Sequence, residues 1–330
     1  MKHVFVFDLG AFAERQFSFA SKGMPRLLQQ DRPDVIQDRI GQYFRTQTKP
    51  DWSVQQSRFP RDALGIIQKE VDEAQDGDTV RVYAIGGDEI LFDCLNGVAG
   101  LPQAELAVVP YGRTNDYYRS FGGGKIEKFR NIPTLVTAPV IPTDIIDTGN
   151  NFVLAGCAVG YSPTAAMRLN DWKKSRNRLV RFFIVDRILS FFSYVSTAFN
   201  RKNISRHYKI TIDDQDHSGN YSNIIVSNCP YYGGNKNGVS GAIPDDGLLD
   251  VALFKSGGPL RTMLSLVTFS RRKKPSNCLL LQAKKITIQS DEPVWIQLDS
   301  EFLRDSSISF EVVPGAVQIV AVDNLSYQKH

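Results

Sequence analysis

Four cysteines and four histidines in 330 residues leave little material for thiol or metal chemistry. Cys94, Cys157, Cys229 and Cys278 lie far apart, form no CxxC pair and have no histidine at metal-ligand spacing. They read as reduced core thiols of a cytoplasmic protein, not as a disulfide or zinc framework. His3 precedes the first apolar run, His207 and His217 flank a β-forming stretch and His330 is the last residue, so none is placed for acid–base work. A GxSxG elbow is absent, as is any Ser, His and Asp set at nucleophile spacing, which removes most of the weight from a hydrolase. An excess of one charge is also lacking: 39 Lys and Arg against 35 Asp and Glu give +4. That is too little to argue for nucleic acid, and none is expected as a partner. The greasiest segment, LVRFFIVDRILSFFSYVSTAF (179–199), holds Arg181, Asp186 and Arg187, which argues against a bilayer span. The opening MKHVFVFDLGAFAERQ has a short apolar run without a small-residue cleavage pattern, so no secretion leader is expected.

What is present is the composition of a folded protein, 42% hydrophobic and 22% charged, in a chain long enough for two domains. Up to about Gly124 strand and helix alternate. KHVFVFDL, DWSVQQS, TVRVYAIGG and AELAVVPYG read as strands. DALGIIQKEVDEAQ and EILFDCLNGV read as helices, as does the spacing of Val35, Ile36, Ile40 and Tyr43. This predicts a doubly wound parallel sheet. After Pro133 the runs shorten and gain β-formers: TLVTAPVIPTDIID, NNFVLAGCAVG, HYKITIDDQ, YSNIIVSNC, LLDVALFKS, KKITIQS, PVWIQLD and SISFEVVPG. They predict an antiparallel β-sandwich domain with helical insertions near 163–200 and 258–272. The fold class is therefore α/β plus β.

Four segments carry chemistry: AIGGDEILFD, PYGRTND, PDDGLLD and LDSE. A strand ending in two glycines lets backbone approach a ligand and points the next helix's N–H groups at an anion. Taken in order along nearly the whole chain, the four resemble the diacylglycerol kinase catalytic superfamily of lipid kinases. The family's GGDGT segment falls on Gly86, Gly87, Asp88, Glu89 and Ile90, keeping the first three, and Asp93 stands near its glutamate. Its G-T-x-N-D falls on Gly112, Arg113, Thr114, Asn115 and Asp116, kept except at Arg113.

The resemblance implies ATP and Mg2+ as cofactors, with Gly86, Gly87, Asp88, Glu89, Gly112, Thr114, Asn115 and Asp116 at the nucleotide. Asp88 and Asp116 would hold the catalytic magnesium. It also implies Asp299 as general base and Glu301 as its positioner or part of a metal network. Asp246, Leu249 and Asp250 would form a structural magnesium site. The implied reaction is transfer of the γ-phosphate to the hydroxyl of diacylglycerol or a similar lipid. The domains would run 1–135, completed by 313–330, and 136–312, with VVPGAVQIVAV returning to the first.

Three departures bear on competence. Glu89 replaces a glycine, and a carboxylate about 4 Å from one phosphate charge costs roughly 4 kcal/mol at an effective dielectric of about 20. Expressed as ATP affinity, that is about a thousandfold. Asp8 and Leu9 stand where the family's first turn has Asn and Pro. Ser300 replaces a glycine, which is costly if its φ is positive. Arg113 offers a positive charge near the phosphates or points to solvent.

A last feature concerns lipid access. Lys173, Lys174, Arg176, Arg178 and Arg181 precede an apolar stretch, and Arg201, Lys202 and Arg206 follow it. Leu179, Phe182, Phe183, Val185, Ile188, Leu189, Phe192 and Val195 recur near helical spacing. Such a helix suits an anionic membrane surface, or else packs on the sandwich or in a dimer seam. RRKK at 271–274 reads as a solvated loop or as part of the same surface. The expected location is cytoplasmic and peripherally membrane-associated, and a homo-oligomer is compatible. A non-catalytic lipid- or nucleotide-binding relative and an NAD kinase-like enzyme are the alternatives.

Overall fold

The computed structural model describes residues 1–12, 31–48, 50–74, 77–112, 114–121, 125–174, 183–233 and 238–327; for 173–174, 183–188 and 324 it describes the backbone alone. Arg113, Arg176, Arg178, Leu179, Arg181 and Phe182 lie outside the described residues. So do the side chains of Lys173, Lys174, Phe183, Val185 and Ile188.

The N-terminal half is α/β. β1 (Lys2–Asp8) lies between β2 (Asp51–Ser57) and β3 (Val80–Gly86), and β4 (Ala104–Pro110) pairs with β3, all parallel. β1 and β3 are almost wholly buried, and continuous apolar runs suit strands covered on both faces. Their crossovers contain α1 (Pro33–Arg45), α2 (Asp62–Asp72) and α3 (Asp88–Val98). α2 packs on α3, and α1 packs on a short helix α4 (Ile132–Thr137). TLVT, expected as strand, is helical because Asn131 caps it, accepting the Thr134 N–H at 3.2 Å, with Pro133 in the first turn. His3 lies within β1, its Nδ1 2.8 Å from the Tyr83 hydroxyl, and burial lowers its pKa to about 4. It is a neutral core group.

The C-terminal half is sheet-rich. It comprises β5 (Val140–Asp147), β6 (Phe152–Val153), β7 (Gly156–Gly160), β8 (Arg206–Ile212), β9 (Gln215–Asp216), β10 (Gly219–Ser227), β11 (Leu249–Lys255), β12 (Cys278–Ala283), β13 (Lys285–Leu298) and β14 (Glu301–Val320). KKITIQS and PVWIQLD are one strand with an irregularity between Gln289 and Val294. β10 and β13 each pair with β7 along one stretch and with β8 along another, so the ladder folds over on itself. Ile210, Ile224, Val251, Ile286, Ile296 and Phe310 fill the space between the layers. Helices α5 (Tyr161–Lys174), α6 (Phe183–Ala198), α7 (Arg201–Ile204) and α8 (Pro259–Ser270) are inserted between strands.

β14 joins the halves. Its start pairs antiparallel with β13, and its end pairs with β5 and, in parallel, with β4 at Glu105 and Leu106. The described strands therefore form one 14-stranded hydrogen-bonded sheet. The cleft opens along this junction.

Candidate active site

β3 ends at Gly86 and α3 begins at Asp88, with Gly87 as its N-cap residue. β4 ends at Pro110 and turns through Gly112 to Asp116, the N-cap of a short 3-10 segment at Tyr117–Ser120. Asn115 and Asp116 therefore sit in the turn before that segment. The two turns interlock through backbone. Tyr111 and Gly112 N–H donate to Gly86 O at 2.7 and 2.6 Å, and Asp88 N–H donates to Thr114 O at 3.1 Å. A Cβ on Gly112 would stand 2.2 Å from Gly87 Cα, and one on Gly86 2.9 Å from Asp8 Cβ. Asn115 locks the second turn, donating from Nδ2 to Gly112 O at 2.6 Å and accepting the Gly112 N–H at 3.2 Å. Asp116 N–H donates to Asp88 Oδ1 at 3.0 Å, and its carboxylate meets Arg119 at 3.3 Å.

Asp299 reaches the same place from the β13–β14 hairpin. It is buried, and its carboxylate accepts the N–H groups of Leu154 (2.8 Å), Ala155 (3.0 Å) and Gly156 (2.8 Å). Its own N–H donates to Gly156 O at 2.9 Å. The left-handed backbone of the hairpin falls on Asp299 (φ 48) and not on Ser300. The condition under which Ser300 would be costly is therefore not met, and its hydroxyl stands 3.4 Å from Asp88 O across the cleft.

These acids repel one another in a poorly solvated place. Burial, then Asp116 and also Asp299, push the Asp88 carboxyl well above the usual carboxylate range, against the Asp116 N–H. Burial raises Asp299 to about 6 although three backbone N–H groups oppose it. Mutual repulsion of this kind is relieved by a bound cation. Glu301 starts β14 and faces a second group: together with Asp8 it raises the Asp93 carboxyl, which burial raises most and the Arg61 N–H, at 2.8 Å, lowers. Asp8 accepts the Ala11 N–H at 3.1 Å, so it caps the turn after β1 as an asparagine does.

Glu89, second residue of α3, is exposed at the rim. An acid there complements the helix dipole.

A cleft of about 570 Å³ extends from these turns. Asp88, Glu89, Thr114, Asp116, Asp299 and Ser300 line one end. Leu169, Phe191, Tyr194, Met263, Leu266 and Val267, from α5, α6 and α8, line the other. Ser162, Asn170 and Gln297 also face it. The sequence around Ser162 and Asn170 carried no signal, because a helix brings them to the cleft from far along the chain, whereas Gln297 stands two residues before Asp299 on β13.

Asp246, Leu249 and Asp250 do not line the cleft. Asp250 is buried with Oδ2 lacking a hydrogen-bond partner among the described residues. Burial and then Asp246 raise it to about 6. A buried carboxylate oxygen facing a second carboxylate fits a hard cation that keeps most of its waters. Leu249 offers only its carbonyl. Among the described residues no three or more His, Cys, Asp or Glu side chains are grouped so that they could hold a metal ion by themselves. Asp144 organises this corner, its oxygens accepting the N–H groups of Gly247 (2.7 Å) and Gly315 (2.8 Å). Nothing in the sequence around Asp144 singles it out.

Two family models tile the chain: the diacylglycerol kinase catalytic domain over residues 34–147, and the YegS C-terminal NAD kinase beta sandwich-like domain over 184–321. The chain belongs to the diacylglycerol kinase catalytic-domain superfamily. A Staphylococcus aureus (strain Mu3) protein named "Putative lipid kinase" is 24% identical over 279 residues, covering 83% of this chain and 87% of its own. A crystal structure of a "putative diacylglycerol kinase" from Bacillus anthracis matches with a TM-score of 0.67 at 20% identity, covering 98% of both chains. A second Bacillus anthracis diacylglycerol kinase structure gives 0.62 at 19% identity, over 98% of this chain and 97% of that one. The chain is a relative of lipid kinases.

Proposed function

We propose that this superfamily member transfers the γ-phosphate of ATP to the hydroxyl of diacylglycerol or a similar lipid. One observation carries the reading. One cleft has three aspartates at one end, two of them beside the interlocked glycine turns, and apolar helix side chains at the other. The turns and the α3 N-terminus suit an anionic polyphosphate, and the helices suit acyl chains. Asp299, fixed by three N–H donors, is the base that accepts the hydroxyl proton, with Glu301 beside Asp93 and Asp8 as a positioning group. Asp88 and Asp116 would hold magnesium at the phosphates, and Asp246, Asp250 and the Leu249 carbonyl a structural one. When bound, that ion offsets phosphate charge. We also read the α/β half as doubly wound and the chain as divided into 1–135 with 313–330, and 136–312.

The test is transfer of labelled phosphate from ATP to diacylglycerol in mixed micelles, with NAD offered in parallel. The parent forms lipid product slowly, and Glu89→Gly raises transfer by up to about tenfold, because an exposed carboxylate is screened by water and salt. Labelling of NAD without lipid product would sink this reading. No transfer by either chain, with nucleotide binding intact, favours a non-catalytic binding protein.

A further inference from the structure

Helix α8 (Pro259–Ser270) has its polarity reversed. Its buried side carries Thr262, Ser265 and Phe269, and Ser265 Oγ donates to Arg261 O at 2.7 Å. Its outward side carries Leu260, Leu264 and Val267, which are 71%, 56% and 44% exposed. A helix facing water places these residue types the other way round. Beside it, Phe191 and Phe192 of α6 are 60% and 55% exposed, and Phe199, just past its end, 75%.

This apolar surface is continuous with the mouth of the cleft. α6 packs against α8, and Phe191 and Val267 both face outward and line the cleft wall. Cations border it. Arg261 on α8 and Arg271, Lys273 and Lys274 at its end are exposed, and α8 itself carries no acidic residue. Arg272 alone turns back. It donates to Gly238 O at 3.1 Å and Pro230 O at 2.8 Å and stacks over Tyr231 at 4.7 Å, fixing the helix end to the loop that brings Tyr232 and Gly233 to the cleft.

We propose that the outward face of α8, with Phe191, Phe192 and Phe199, docks on an anionic lipid bilayer and seats the cleft mouth at the headgroup layer. The apolar side chains enter the acyl boundary while the cations meet lipid phosphates, and a lipid passes between α6 and α8 without crossing water. The proposal rests on the lipid reading of the cleft, but vesicle binding tests it apart from phosphate transfer.

The experiment is sedimentation of the full chain with phosphatidylcholine vesicles, with and without phosphatidylglycerol. It compares the parent with Leu260→Glu/Leu264→Glu and with Lys273→Ala/Lys274→Ala; none of these four residues lines the cleft. The parent binds the anionic vesicles and loses binding as salt rises. The leucine variant binds at least about tenfold more weakly, and the lysine variant about fivefold more weakly per cation removed. Thermal unfolding and nucleotide affinity show that both variants are folded. A parent that ignores anionic vesicles, or variants that bind them as well as the parent, would overturn the proposal. So would a parent dimer that the leucine variant makes monomeric, with no vesicle binding, since the face would then join two copies of this chain. A parent that binds vesicles but labels no lipid would leave the docking face standing and remove the kinase reading.

Discussion

At Asp299 burial and hydrogen bonding act in opposite directions. Burial favours the neutral acid, while three backbone N–H groups favour the carboxylate, and the balance leaves it near 6. A base must be ionised to accept the lipid hydroxyl proton. Transfer should therefore be weak at pH 5, rise through about pH 6 and level above pH 7, and a flat kcat profile over that range would remove Asp299 from the role. Asp299→Ala should cost about a hundredfold or more. Asp88, raised by burial and then by Asp116, should steepen the same limb. Ser300→Gly should change little, because the hairpin's positive φ belongs to Asp299, a residue type that tolerates it.

The functional element is the pair of interlocked turns. Strands β3 and β4 are adjacent and parallel, so both turns emerge at the same edge and press backbone against backbone. Gly112→Ala would force a Cβ to within 2.2 Å of Gly87 Cα, against main chain that cannot rotate away. It should destabilise the protein by about 3 kcal/mol or more and abolish nucleotide binding, read from the urea midpoint and from nucleotide titration. An unchanged midpoint would show that the turns can separate. The glycines themselves were legible in the sequence, because AIGGDE and PYGRTND each follow an apolar run. Their contact was not legible, since sequence spacing does not say that two turns touch. TLVT misled for a related reason: β-branched residues formed a helix once Asn131 and Pro133 started one.

At the scale of the whole molecule, Asp144 ties β5 to the Gly247 turn and to Gly315 of β14, while Asn228 donates from Nδ2 to Asp144 O at 2.7 Å. Asp250 lies beside that junction with its carboxyl raised to about 6. A carboxyl held above its unfolded value adds stability that is complete below about pH 4 and is lost as pH rises through 6. In chelator, Asp250→Asn should therefore match the parent near pH 4 and exceed it by roughly 3 kcal/mol above pH 7. Magnesium should raise the melting temperature of the parent more than that of Asp250→Asn, which keeps only the acids at Asp88 and Asp116. Equal responses of the two chains would place the ion elsewhere. No described helix is long and apolar enough to cross a membrane.

The alternation of strand and helix up to the second glycine turn, the β-rich second half and the four segments that mark the superfamily are all written in short stretches of the chain. These are local properties: periodicity, glycines after apolar runs, and carboxylates at fixed offsets. Only the packing of distant segments set the direct pairing of β14 with β4, the backbone contact between the two glycine turns and the outward leucines of α8. Each depends on which distant segments meet and which side of a helix the core covers. A positive φ is equally invisible in the letters, so the cost of Ser300 depended on a backbone angle that the turn places on Asp299 instead.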